Sequence, residues 1–598
     1  MSVGAASAGT SATRDVSPSR SRRRDPFRAS GWIIAAAGIA LLLYPIWRML
    51  HQLLWGGGHF NTASFQQFTS TPGVVESLGD TALVVAVAGT LAVVIGGILA
   101  VVDERTDARM GPVTGLMPFL PFLIPGIASA IGWTLLLAPT SGYVNAILRS
   151  LLNHVGLHLT QGPLNIYSYP GLIFLYTLTL VPFAFLIISG GLRAIDSQLE
   201  EQSRVCGASN LRTLLRVMLP GIAPSLAGAF LLVIWFGFGM YSIPVTIAPS
   251  ANISIVSVEI VTLLTAGYPP AYGAAITLSV IVVGIVGIAW YVQSRVLRRG
   301  RHQTTGGQAR TATRLKLGAW KWPVRLLVLL YISLVTILPL AALVVVGLSG
   351  YWHDDVRWSR LSLAPLVNAV FRNPTTLQAL KDSVGLGIAG ATIAILLAAV
   401  VSVTVARSSR RIAQAVDGTL KLPVIVSNVI LAVGFVLAFA GSPFYLGGTV
   451  TVLLITYVAL FMPQATLYTD ATAVQIDVSL EEASTISGAS GLRTFRRVFL
   501  PLMRPGLASG WALIFVFIVG DLEVSSLLAG PSNPTIGSQT LVYFSQGAFA
   551  DVAAIALTLS VISSAVVFTV MTVTRRGLRR RRLAALPSLT NDITIAAL

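Results

Sequence analysis

The chain has 598 residues, 54% of them hydrophobic and only 11% charged, with a mean hydropathy of +0.77. A soluble protein carries roughly 25% charged residues, so this composition excludes a soluble globular fold and indicates an integral membrane protein. The net charge of +18 would suit nucleic acid, but the arginines cluster beside apolar segments, which makes the lipid bilayer the partner and not nucleic acid; the single cysteine, Cys206, excludes an internal disulfide.

Residues 1–30 are rich in Ser, Ala and Arg, with Arg20, Arg22, Arg23 and Arg24 close together. They read as a disordered basic tail before a retained helix, because no small-residue cleavage site follows. Apolar runs of about 20 residues are long enough to span a bilayer. Twelve are expected, at 31–51, 81–102, 113–138, 170–190, 223–248, 272–293, 323–349, 383–406, 422–441, 447–467, 504–529 and 552–574. The third and ninth carry Pro118, Pro121, Pro125 and Gly434, so kinks or breaks are expected there. The Arg-, Gly-, Thr- and Gln-rich stretch 294–322 reads as a cytoplasmic linker. It separates a first core, 31–293, from a second, 323–574, and a basic tail occupies 575–598.

Orientation follows from the loop arginines. One set of loops holds Arg105 and Arg109, Arg212 and Arg216, Arg298 and Arg299, Arg410 and Arg411, and Arg496 and Arg497, and both termini join it. That side is expected to be cytoplasmic. The other side is poorer in charge, although 350–382 carries Arg357, Arg360 and Arg372. Six spans per half give both halves the same topology, so the expected repeat is parallel, about a pseudo-two-fold axis along the membrane normal.

The repeat is written most plainly between the fourth and fifth spans of each half. Asp196 to Ala227 and Asp477 to Ala508 align without a gap, 281 residues apart, with 18 of 32 positions identical. Asp196 and Asp477 are placed as helix N-caps. Glu200, Glu201, Glu481 and Glu482 fall in the first turns, where the helix dipole favours them. Gly207 and Gly488 follow the natural end of that helix and permit a left-handed terminus; Ala208 and Ala489 come next. Ser209 and Ser490 can cap a second short helix with an apolar stripe (Leu211, Leu214, Leu215 and Met218; Leu492, Phe495 and Phe499) and a basic face including Arg212 and Arg493. Pro220 and Pro501 are expected to stop that helix before the membrane. A single copy would read equally well as a helix pair lying on lipid. Two copies in register point to a docking element.

These residues resemble the coupling loop of binding-protein-dependent importer permeases of the ATP-binding-cassette class. The carriers are Glu201-Gln202-Ser203 with Gly207 and Pro220, and Glu482-Ala483-Ser484 with Gly488 and Pro501. The first copy departs from the family pattern, with Gln202 and Ser203 where small alanines are usual. The resemblance covers both six-span halves. It implies an all-α permease of two tandem six-helix halves, similar to the MetI-like permease fold, in the plasma (inner) membrane. It further implies a separate homodimeric ATPase subunit that binds ATP and magnesium, docked on the two loops, and an extracytoplasmic substrate-binding protein. Gly267–Ile281 and Asp521–Phe544 resemble fused permeases of the ferric-iron type. Relatives for thiamine, polyamines and phosphonates share the architecture, so ferric iron is an expectation with these as alternatives.

The chain lacks the Gly-x-x-x-x-Gly-Lys-Ser/Thr loop that cradles phosphates: its four lysines (Lys316, Lys321, Lys381 and Lys421) never follow glycine. No ATPase and no bound cofactor are therefore expected on this polypeptide. His154 and His158, spaced for one helix face, lack a third ligand, and no metal site is expected. Asp521 and Glu523 lie toward the outer end of the eleventh span, where the first half has Met240 and Ser242. Ionisable residues in a span are functional candidates, so this pair is a possible acidic lining of the substrate path, with a shallow hydrated position as the alternative. An ion-gradient-driven transporter of the six-plus-six type is the rival reading, but it explains neither the repeated loop nor the scarcity of ionisable residues in the spans.

Overall fold

The computed structural model describes residues 26–55, 62–111, 124–195, 197–300, 314–353, 355–420 and 426–584. Its long apolar runs fold as helices because a bilayer offers no partner to a free backbone N–H or C=O, and a helix satisfies both within one segment. The first half runs α1 (Pro26–Trp55), α2 (Val74–Arg105), α3 (Gly126–Leu137), α4 (Tyr169–Ala194), α5 (Ser197–Val205), α6 (Ala223–Gly239) and α7 (Tyr272–Gly300). The second runs α8 (Leu338–Ser349), α9 (Pro374–Ala406), α10 (Asn428–Phe435), α11 (Val450–Ala473), α12 (Val478–Ile486), α13 (Leu500–Val519) and α14 (Phe549–Ala584). Among the described residues there is no strand, only isolated bridges such as Thr106 with Leu315.

Nine helices among the described residues are long and apolar enough to cross a membrane. A further crossing is the pair Leu214–Gly221 and Ala223–Gly239, bent by 60°, and the shorter apolar helices Gly126–Leu137 and Asn428–Ala440 take the third and ninth places. The expected order of twelve therefore stands, with corrected edges. The stretches 112–123 and 421–425, with Pro118 and Pro121, lie outside the described residues, as do 1–25, 301–313 and 585–598 of the tails and linker. The fifth and eleventh spans, expected at 223–248 and 504–529, end early, at Gly239 and Val519. Helices Pro244–Ala251 and Val256–Thr265, bent by 85°, follow the first; Ser525–Leu528 and Ile536–Ser545 follow the second. Hydropathy ran the spans on because the residues after each break stay apolar while the backbone turns. α9 starts at Pro374 rather than 383, because Asn373 caps it by accepting from the Thr375 and Thr376 N–H groups.

The two halves repeat, but with a shifting offset. Arg105 at the end of α2 corresponds to Arg407 after α9, 302 residues on, whereas α4, α5 and α6 recur 281 residues on. The first half carries an extra segment between α3 and α4 that contains the helix Tyr143–His154. Buried Asn145 fastens it: its amide nitrogen contacts the carbonyls of Leu137, Ala138 and Leu164 at 2.7–3.0 Å, and its oxygen accepts from the Leu164 N–H.

The first helices reach across to the other half. α1 packs on α9, α10 and α11, and α8 packs on α3 as well as on α14 of its own half. Small residues permit such close crossings in a membrane. A Cβ at Gly31 would lie 2.0 Å from Thr404 Oγ1, and one at Gly132 would lie 2.6 Å from both Pro339 Cβ and its carbonyl oxygen.

Candidate functional site

Each half follows its fourth span with a helix, a glycine turn and a second helix, which together form a bracket. Asp477 caps α12 by accepting from the Ser479 N–H at 2.9 Å, and that bond holds its carboxyl below the usual carboxylate range. Asp196 lies outside the described residues. Gly207 and Gly488 both stand at φ +77°. In each copy the next N–H, from Ala208 or Ala489, reaches back to the carbonyl of Ser203 or Ser484 at 3.0 and 3.1 Å, the bond that closes a left-handed helix terminus. A Cβ at either glycine would meet nothing within 4 Å, so conformation rather than space demands glycine. Ser209 and Ser490 accept from the Arg212 and Arg493 N–H groups, both at 3.4 Å. Arg212 and Arg493 are exposed, as expected for a basic face.

One tie was not read from the sequence. The Ser203 hydroxyl meets Thr213 at 2.9 Å, and Ser484 meets Thr494 at 2.8 Å. Each bond joins the two arms of a bracket. The signal was present, since both residues are identical in the two copies. Gln202, which with Ser203 departs from the family pattern, is exposed, as is its counterpart Ala483.

Two expectations need correction. Pro501 does not stop the second helix, which runs on as α13, whereas in the first copy the helix ends at Gly221, one residue after Pro220, and the chain bends by 60° into α6. A wide turn, Leu214–Met218 or Phe495–Phe499, precedes each, with the Leu219 and Leu500 N–H groups reaching back five residues to the Leu214 and Phe495 carbonyls. That widening relieves the proline ring and its missing donor, and in the second copy the helix passes on without a break. Nor does the apolar stripe face outward as a whole: Met218, Phe495 and Phe499 are buried. Leu215 and Leu492 of the stripe stay exposed, but the apolar groups that project furthest are Val205 and Ile486, 88% and 87% exposed, which the sequence reading missed. They occupy the same position of the repeat, just before the glycine turn.

The paired glutamates divide their work. Glu200 turns inward and meets Arg105 at 3.1 Å, with both side chains almost fully buried. Arg105 also donates to the Leu192 carbonyl at 2.6 Å. Glu481 meets Arg407 at 2.7 Å and Arg28 at 3.0 Å, in a more hydrated setting. Each bracket is thereby clamped to the end of its own half's second span. Glu201 and Glu482 are exposed beside the projecting tips.

A cavity of about 320 Å³ lies between the halves, lined by matched positions of the repeat. The first half contributes Phe183, Trp235, Phe236, Met240 and Ser242; the second contributes Gln464, Val516, Phe517, Asp521 and Glu523 at the same places. Both walls carry aromatic rings, Phe517 on the second, but only the second adds carboxylates and the Gln464 amide. The halves also cross here reciprocally: a Cβ at Gly239 would sit 3.4 Å from Ser427, and one at Gly520 would sit 3.5 Å from Pro125. Asp521 is buried and accepts from the Val524 and Ser525 N–H groups and the Tyr457 hydroxyl at 3.0–3.1 Å. Its carboxylate is consumed in shaping the break after α13. Glu523 is half-buried and accepts from Asn428 at 2.5 Å and from the backbone of Tyr241 in the other half. Both candidates line the cavity, Asp521 held within its own half and Glu523 tied to Asn428 and across to Tyr241. Asn428 and Gln464 were not singled out from the sequence.

Among the described residues no group of three or more His, Cys, Asp or Glu side chains could hold a metal ion. The His154 ring is engaged by the Ser150 carbonyl at 2.6 Å.

The model of the family "binding-protein-dependent transport system inner membrane component" matches residues 92–298 and again 390–582. The chain is 22% identical to a ferric transport system permease protein, FbpB, of Actinobacillus pleuropneumoniae, over 81% of this chain and 69% of that one. It is 25% identical to a probable ABC transporter permease of Sinorhizobium fredii over 69% of this chain and 72% of the other. Over 35% of this chain and 80% of the other, it is 28% identical to the spermidine/putrescine transport permease PotC of Haemophilus influenzae. Among solved structures, a bacterial ABC transporter that imports alginate aligns with 46% of this chain and 98% of its own at 15% identity, with a TM-score of 0.35.

Proposed function

The chain belongs to the family of binding-protein-dependent transport inner membrane components, and from that premise we propose how its two cores work. The two brackets dock on a separate, homodimeric ATPase that holds ATP and magnesium. The cavity between the halves is the translocation path, filled from a binding protein on the far side. The bracket side and both termini are cytoplasmic. The carrying observation is that two brackets 281 residues apart share the same φ at their glycines, the same Ser–Thr tie and the same exposed apolar tip.

The substrate is a cation. Ferric iron is the first candidate, in keeping with the substrate named for the Actinobacillus relative. A polyamine is the second reading, favoured by the cavity itself. Trp235, Phe236 and Phe183 face a carboxylate wall, and aromatic faces attract organic ammonium groups. A ferric ion would find one available carboxylate and two amides. Proteoliposomes holding the chain, its ATPase and its binding protein separate the readings through uptake of labelled ferric iron and labelled spermidine. Glu523→Gln should lower uptake of the true substrate about tenfold, the equivalent of roughly 1.4 kcal/mol. Full uptake without the ATPase would overturn the importer reading, and unchanged uptake in Glu523→Gln would remove the carboxylate from the path.

A further inference from the structure

The base of α1 is inserted at the second bracket. The Phe27 and Phe495 rings lie 5.0 Å apart. Arg28 Nη2 stands 3.0 Å from Glu481 Oε1, and the other oxygen of that carboxylate takes Arg407 at 2.7 Å. The close crossing of Gly31 on Thr404 holds α1 there, and Thr404 lies three residues before Arg407. One stretch of chain therefore fixes both α1 and Glu481.

Further along, about two-thirds of the way through α1, Tyr44 packs its ring 5.8 Å from Phe439 and 6.3 Å from Phe444. Phe439 belongs to the continuation of α10, and α10 begins at Asn428, the residue that holds Glu523. α1 thus touches the bracket at its start and the cavity-lining element along its body. The first bracket is supported differently. The chain leaving the linker is stitched beside the Arg105–Glu200 pair by backbone bonds, with Leu315 N–H donating to the Arg105 carbonyl at 2.8 Å and Asp107 N–H to the Leu315 carbonyl at 3.1 Å.

We infer that Phe27 and Arg28 form a latch by which the first helix positions the second bracket against its ATPase. They are positioning residues: they act through Glu481 and Phe495 and touch no substrate. The latch couples the bracket of the second half to the helix that also abuts α10, so bracket movement and cavity movement share one strut. The functional half of this inference rests on the proposed role of the brackets.

The test uses the full chain in lipid nanodiscs, as wild type, as Phe27→Ala/Arg28→Ala, and as Arg28→Lys, with hydrogen exchange as the first readout. Exchange over 478–494 is expected to rise about tenfold in the double variant, as local opening becomes easier, while 197–213 stays as in wild type. Arg28→Lys should keep the wild-type pattern, because an ammonium still reaches the carboxylate. Unchanged exchange over 478–494, or an equal rise in both brackets, overturns the latch. With ATPase and binding protein present, the double variant should retain the ATPase, yet its ATP hydrolysis should depend less on loaded binding protein; undiminished dependence also overturns the latch. Val205→Asp/Ile486→Asp tests the docking reading separately. If that variant keeps its ATPase, the docking reading fails while the exchange result still decides the latch.

Discussion

Removing one partner of the Arg105–Glu200 pair should hurt far more than the same change in the second bracket. The Arg105 and Glu200 side chains are only 6% and 4% exposed, so Glu200→Ala leaves a guanidinium buried without its counter-charge. Such a change costs about 3–5 kcal/mol. At Glu481 the side chains of Arg407 and Glu481 are 16% and 20% exposed, and Arg28 is 46% exposed. Water can replace much of that contact, and about 1 kcal/mol is expected from Glu481→Ala. The difference, about 2–4 kcal/mol, corresponds to roughly 30- to 1,000-fold in a local opening constant. Hydrogen exchange of the full chain in nanodiscs measures it, comparing 197–213 in Glu200→Ala with 478–494 in Glu481→Ala. Arg105→Leu/Glu200→Leu should recover most of the loss, since an apolar pair carries no desolvation cost. Recovery stays incomplete because the Leu192 carbonyl loses the Arg105 donor and keeps only the longer bond from the Ile195 N–H. The reasoning is refuted if Glu200→Ala speeds exchange no more than Glu481→Ala does.

Gly207→Ala and Gly488→Ala should cost the same, about 1–2 kcal/mol each, because both leave open space and pay only the left-handed backbone term; a clear inequality in bracket exchange would show that one site also packs. Gly132→Ala should lower the thermal midpoint of the purified chain by several degrees, since its Cβ meets the backbone and ring of Pro339, whereas Gly79→Ala, which meets nothing within 4 Å, should leave it unchanged; equal midpoints in the two variants would refute the crossing. Because its folded-state value is depressed, Asp477 contributes protection to the start of α12 above its unfolded-state titration. That protection should persist through the ordinary carboxylate range and fade only as pH falls below it. Asp477→Asn should abolish this acid dependence while keeping the cap, and acid-dependent exchange that survives in Asp477→Asn would assign it elsewhere.

The parts of the site that were legible in the sequence are those whose causes are local. A cap, a left-handed glycine and a serine three residues before an N–H are neighbours along the chain, so Asp477, Gly207, Gly488, Ser209 and Ser490 could be placed from spacing alone. The glutamate clamps could not. Arg105 lies 95 residues before Glu200, and the match between Arg105 and Arg407 was hidden because their offset is 302 while the brackets repeat at 281. Pro501 was misread for a related reason. Its effect depends on the turn before it, and a widened turn leaves no trace in composition. The early ends of the fifth and eleventh spans were missed because hydropathy registers a polar residue but not a change of backbone direction. Asp521 and Glu523 stood out as acids in apolar surroundings, yet only the fold separates the carboxylate held within its own half from the one tied across to the other.

The two halves have kept some features and lost others, and the pattern says which surfaces must stay alike. The glycine φ, the Ser–Thr tie and the exposed tip are the same in both brackets. On the proposed reading these face two copies of one ATPase, so any divergence would be tested against an identical partner. The clamps behind the brackets face only the chain itself, and there the halves differ: a buried pair on one side, a hydrated triad with Arg28 on the other. The cavity differs most, with Phe183 against Gln464, Met240 against Asp521 and Ser242 against Glu523. A substrate on the pseudo-two-fold axis need not share that symmetry, so nothing holds the two walls to one chemistry. On the proposed reading, a single charged wall would give a cation one attachment point, which moves with one half if the halves separate. Placing a second carboxylate by Ser242→Glu should therefore slow release of a cationic substrate by holding it between two walls, and uptake should fall although the path has become more acidic. A rise in uptake in proteoliposomes would refute this account of the asymmetry.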